Sequence, residues 1–254
     1  MALFTDGPIS SIDDLAALDS QLLAVAETEG IDVTRKLTSA QEEVGVELTV
    51  LLNKLSRTDQ FLQPTPRPGL SSVVVTAPMK LWNTYRTLEM IYRDAYNSQL
   101  NDRYAGKRDQ FHEMAQWASE RLIQTGVGVA ANPVPRAGTP QVDAIPGALP
   151  DGTYYVSMAW INPTGEEGAG SSPAVFTITA SALQVEAGTP PPGATRWNVY
   201  IGDAPESMVL QNGTPIEAGQ NWHQAGAVAT AGRAPGTGQE PTYLKPVPRV
   251  IQRG

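Results

Sequence analysis

Apolar residues recur every three to four positions through the first half of the chain and at alternate positions through much of the second. The first period lays an apolar stripe along a helix, and the second lays an apolar face on a strand. The chain therefore divides into a helical half and a β half. Leu15, Leu18, Leu22 and Val25 predict one amphipathic helix over 10–29. Ser10 or Ser11 supplies its cap, Asp13 and Asp14 favour its first turn, and Gly30 ends it. A second helix is expected over 39–56, with Ser39 and Glu42 as a capping box and Val44, Leu48, Leu51, Leu52 and Leu55 as its apolar face. Pro64, Pro66, Pro68 and Gly69 predict a loop, and Val73–Val75 a short extended piece. A long aromatic helix follows over 78–104, carrying Leu81, Trp82, Tyr85, Leu88, Tyr92 and Tyr96. Gly106 reads as a break. A fourth helix over 107–125 carries Phe111, Met114, Ala115, Ala118 and Leu122, and Gly126 stops it.

Five prolines and two glycines over 130–150 read as a linker. Alternation then predicts strands at 153–161, 174–179, 183–186, 196–201 and 208–211. Asn162-Pro163-Thr164-Gly165 and Asn212-Gly213 read as turns. Short, regularly spaced strands argue for a β-sandwich over 151–229. The proline-rich 230–254 reads as an extended tail. The expected organisation is thus a helical domain over 1–129, a linker over 130–150, a sandwich over 151–229 and a tail over 230–254.

Charge adds an asymmetry. The chain carries a net −8, and the tail is locally basic, with four Lys/Arg against one acid. An acidic surface disfavours general nucleic-acid binding, while the basic tail reads either as a solvated segment or as one that docks on an acidic partner. The chain has no Cys, so disulfides and thiolate chemistry are excluded. MALFTDGPISSIDD lacks the basic and apolar stretches of a secretory leader, and no run has the length of a membrane span.

The candidate chemical motifs fail on context. Gly126-Val-Gly128-Val-Ala-Ala131 has the letters of a dinucleotide fingerprint but follows a helix and runs into Asn132-Pro133. His112-Glu113 opens like a zinc-protease motif, but Trp117 stands where the second His is required. Glu166 and Glu167 read as a solvated turn, and the Asn212-Gly-Thr214 sequon as a turn. No catalytic residue, metal ligand or cofactor is expected.

Two stretches carry a resemblance. LNDRYAGKRDQFHEMAQWASERLIQTGVGV (Leu100–Val129) resembles the terminal helices of tailed-bacteriophage structural proteins. DGTYYVSMAWINPTGEEGAGSSPA (Asp151–Ala174), with ATRWNVYIG (Ala194–Gly202), resembles the immunoglobulin-like or fibronectin-type modules appended to such proteins. The helical half is similar in layout to head-to-tail connector adaptors. The resemblance implies a four-helix connector-type bundle followed by an Ig-like sandwich, assembled as a ring that is twelvefold if like the family. Such a ring lies in the virion neck after assembly in the host cytoplasm. Its implied partners are the portal protein, a downstream tail or nozzle protein and possible capsid protein, with genomic DNA passing through unread and no membrane involved. It further implies a portal-binding tail (Arg233, Tyr243, Lys245, Arg249, Val250, Arg253), subunit packing through Leu81, Tyr85, Leu88, Tyr92, Phe111, Met114 and Leu122, and channel-facing acids Glu42, Glu43 and Glu47. The alternatives are a tail, baseplate or capsid-decoration protein that binds a neighbour or a host glycan through Trp160, Trp197 and Trp222, or a glycan hydrolase, for which no acid pair is placed.

Overall fold

The structure is a computed structural model and describes residues 1–56, 68–99, 102–224 and 226–245. The chain forms two units. One comprises Gly7–Val129 with the strand that begins at Thr242; the other comprises Met1–Asp6 and Ala130–Pro241.

Among the described residues the helical unit has five α-helices: α1 (Ile12–Leu18), α2 (Leu22–Glu29), α3 (Val33–Ser56), α4 (Ala77–Gln99) and α5 (Ala105–Thr125). The single helix expected over 10–29 is two. Ser11 and Asp14 cap α1 reciprocally. The backbone then leaves the helix at Asp19 (φ −144°, ψ 101°), which aims its carboxylate into the protein and accepts the Gln21 amide at 3.1 Å. Helix α3 starts well before Ser39, because Asp32 Oδ1 accepts the Arg35 amide at 3.0 Å and so caps it. The predicted capping box is therefore mid-helix. The break before α5 falls ahead of Gly106, at a 3₁₀ turn over Asp102–Tyr104. Helices α4 and α5 lie against each other and supply most of the unit's buried aromatic side chains. Tyr92 stacks on Phe111 with ring centroids 5.6 Å apart.

Gly126 ends α5 and opens a strand, β1 (Val127–Val129), so the glycine stop is observed. On one side β1 meets Val73, part of the predicted extended piece. On the other it pairs antiparallel with β10 (Thr242–Leu244). Gly126 has φ 98°, and a Cβ there would lie 2.9 Å from Leu244 O. Gly126→Ala should destabilise the helical unit by about 1–2 kcal/mol through backbone strain and crowding. A chemical denaturation midpoint checks this, with faster amide exchange expected at Val127–Val129.

The described residues of the β unit form two antiparallel sheets. The larger runs β4 (Ala174–Ile178), β3 (Gly152–Ile161), β6 (Arg196–Gly202), β7 (Val209–Leu210), and β8 (Ile216–Glu217) also pairs with β6. The smaller runs β2 (Gln141–Pro146), β5 (Ser181–Glu186), β9 (Trp222–His223). Val156, Met158 and Trp160 of β3 share one apolar cluster with Trp197 and Val199 of β6 and Leu183 and Val185 of β5. Each sheet thus buries one face in a common core.

Three expectations change here. The stretch 130–150 is not a linker: β2 pairs along β5, and Val134, Ala137 and Leu149 are buried in the core. As an edge strand, β2 tolerates Pro146. Asn212-Gly213 is not a hairpin turn. Between Tyr200↔Leu210 and Trp197↔Ile216, β6 advances three residues while its partner advances six. The extra residues form a bulge, and Asn212 Oδ1 fills the ladder by accepting the Val199 amide at 2.9 Å. Finally, 230–254 is not one free tail. Arg233 O accepts the Leu210 amide, Gly236 O accepts the Gly170 amide, and β10 belongs to the helical unit.

Candidate functional site

Two carboxylates organise the polar interior, one in each unit. Asp19, with a side chain only 3% exposed, accepts Tyr92 Oη at 2.6 Å and Lys107 Nζ at 2.9 Å. Burial pushes this carboxyl up. The hydrogen bonds from Tyr92, Lys107 and the Gln21 amide, with the Lys107 charge, outweigh burial and hold it below the usual aspartate range. Burial and the hydrogen bond to Asp19 raise the Tyr92 phenol well above its ordinary value. In the β unit Glu167 accepts Asn198 Nδ2 at 2.9 Å, Tyr200 Oη at 2.5 Å and Arg233 Nη2 at 2.6 Å. The Tyr200 phenol is likewise raised, first by burial and then by Glu167. Glu167, read from sequence as part of a solvated turn, is therefore a hub whose side chain is only 10% exposed. The turn itself forms around Asn162, whose Oδ1 accepts the Glu166 amide at 2.9 Å. Both hubs fasten elements together.

His112 Nδ1 lies 3.0 Å from Glu89 Oε1, and Glu89 also accepts Arg86, which reaches on to Glu43. Among the described residues, no group of three or more His, Asp or Glu is placed to hold a metal ion. No described helix is long and apolar enough to cross a membrane.

The residues expected between subunits lie within this chain's own core. Tyr85, Leu88, Tyr92, Phe111 and Leu122 are buried, while Leu81 and Met114 are half-buried. Their apolar surface is largely consumed inside one protomer. Of the three acids, Glu42 and Glu47 are exposed, and Glu43 is paired with Arg86 at 2.5 Å. Of the tail residues, Arg233 is held by Glu167, Tyr243 lies exposed in β10 and Lys245 is exposed beside Gly126. Arg249, Val250 and Arg253 lie outside the described residues. Trp160 and Trp197 are core residues and Trp222 packs against the same cluster, so they do not form an exposed aromatic platform.

The surface that sequence reasoning missed is the α3–α5 flank. Val44, Leu48 and Leu52 fill the inner stripe of α3, leaving Val46 and Val50 outward at 66% and 49% exposure. Phe111, Ala115, Ala118 and Leu122 fill that of α5, leaving Trp117 and Ile123 outward. Val46, Val50 and Ile123 border a groove of about 260 Å³ with Trp82 and Leu122 beneath. Its signal in the sequence is a second apolar row, offset from a stripe that already satisfies the helix. Such a surface suits association rather than chemistry.

No family model, curated protein or solved structure matches the chain.

Proposed function

We propose that this protein is a non-enzymatic structural component of a tailed-phage virion, a head-to-tail adaptor whose copies pack side by side into a ring on the portal. The observation that carries this reading is the outward apolar flank of α3 and α5 on a helical unit whose inner stripes are already filled. Apolar side chains left outward in this way are the material of a protein–protein interface. The resemblance of Leu100–Val129 and Asp151–Ala174 to phage structural proteins supplies the setting. In this reading the β unit is an appended Ig-like module on the neck. Exposed Glu42 borders the DNA channel, where like charge keeps DNA from adhering. Tyr243 and Lys245 face the portal, and the far side of the ring receives the next tail component.

Negative-stain images of the purified protein, alone and mixed with portal, test the proposal. The expected result is a ring stacked coaxially on the portal. A monomer that never joins portal overturns it.

A further inference from the structure

We infer that the lateral contact between copies is Trp117 of one protomer seated on the α3–α5 groove of the next, with α5 of the first laid antiparallel along α3 of the second. The inference rests on the ring reading and specifies its interface.

Two exposed helix faces carry the same sequence of chemistry. On α3, Glu47, Val50 and Lys54 stand at i, i+3 and i+7. On α5, Glu113, Trp117 and Arg121 stand at i, i+4 and i+8. These spacings put each trio on one face. Each trio reads acid, apolar, base from its N-terminal end, over about 10–12 Å of helix. Laid antiparallel, Arg121 meets Glu47, Glu113 meets Lys54, and Trp117 meets Val50. Laid parallel, like charges coincide at both ends, so charge selects the direction. Among the described residues none of these four charged side chains has an ion pair within its own chain.

The apolar centres also match. Trp117 is 48% exposed, with the Arg121 guanidinium 5.8 Å from its ring centroid. The groove beside Val50 offers an apolar floor of Trp82 and Leu122. An aromatic side chain buries about 150–250 Å² in all, of which Trp117 keeps about half to offer, and Trp and Arg are the residue types that dominate binding energy at interfaces.

Geometry makes the contact directional. Trp117 precedes the groove residue Ile123 by six positions on one helix, so the two point about 120° apart around its axis. A protomer cannot seat its own Trp117 in its own groove. A knob on one side and a groove on another give a head-to-tail contact, which closes into a ring when the rotation permits.

The absence of native cysteine makes the test clean. Glu47→Cys and Arg121→Cys variants are prepared separately, mixed, oxidised and run on a non-reducing gel. The mixture should give a cross-linked dimer and neither variant alone should. A chain carrying both substitutions should give a ladder. Adding Trp117→Ala should cut the cross-linked yield by roughly tenfold or more. A doubly substituted chain that stops at the cross-linked dimer denotes a two-fold contact and overturns the inference, as does a cross-link in either single variant alone or a mixture with none. A ladder from a protein that never joins portal keeps the contact and removes the adaptor reading. A portal-bound ring without the cross-link does the reverse.

Discussion

Glu167→Ala should lower the stability of the β unit by about 3 kcal/mol and its melting temperature by about 10 °C. The carboxylate gathers three donors from two places in the chain: Asn198 and Tyr200 on β6, and Arg233 on the segment whose carbonyl accepts the Leu210 amide. Arg233 contributes little of that cost, because its side chain is 53% exposed and water replaces the lost partner. The cost comes from Tyr200 and Asn198, which are 0% and 4% exposed. Each would keep a buried donor with one acceptor fewer, at about 1–3 kcal/mol per unsatisfied group. Asn198 retains its contact with Asn212 through Oδ1, which does nothing for its Nδ2 donor. Glu167→Gln keeps an acceptor and should lose less than half as much. Tyr200→Phe, which removes the donor along with its need, should also fall short of the alanine variant. Thermal denaturation followed in the near ultraviolet reads all three. Equal melting of Glu167→Ala and the parent would mean that the network carries no stability.

What the sequence discloses here depends on how local the deciding interaction is. Strands β3 and β6 are legible because alternation over many residues sets both their faces, and Gly126 is legible because a positive φ at a helix end asks for glycine. Asp19 is not. It sits mid-pattern between Leu18 and Leu22, and the groups that pull it out of the helix, Tyr92 and Lys107, lie 73 and 88 residues away. Asn212-Gly213 satisfies every local rule for a tight turn, yet both flanking pieces pair with β6, a decision made by distant residues. Edge strand β2 hides behind its prolines for the same reason. At the candidate interface the deciding step is which face a protomer fills first. The conspicuous aromatic residues of α4 and α5 read as core, and they are consumed inside the protomer rather than between subunits. The less conspicuous Val46, Val50 and Trp117 are what remains outside.

Asp19→Ala should destabilise the helical unit by about 2–4 kcal/mol near neutral pH and flatten the acid limb of its stability profile. The carboxylate joins the α1–α2 junction to α4 through Tyr92 and to α5 through Lys107. Its removal leaves a phenol that is 2% exposed without an acceptor. Lys107 is 41% exposed and regains water, which keeps the loss below that of an entirely buried pair. The acid limb follows from the depressed Asp19 carboxyl. In the folded protein it releases its proton more readily than in the unfolded chain, where the value is about 3.9. Its contribution is therefore complete above that value and disappears as pH falls through the lower folded one. The alkaline limb follows from Tyr92, whose phenol is raised by burial and by Asp19. A raised phenol stabilises the fold fully below the unfolded value of about 10, and that stabilisation is lost as pH climbs toward the folded one. One contact thus sets two edges of the stability profile. Denaturant midpoints across pH 2–11 should show the parent falling away at both ends. In Asp19→Ala the profile should be lower in the middle and flatter at the acid end. Asp19→Asn should keep the flattened acid limb while recovering part of the central loss, because an amide oxygen still accepts from Tyr92. A variant profile parallel to the parent's at every pH would remove Asp19 as the source of the acid limb.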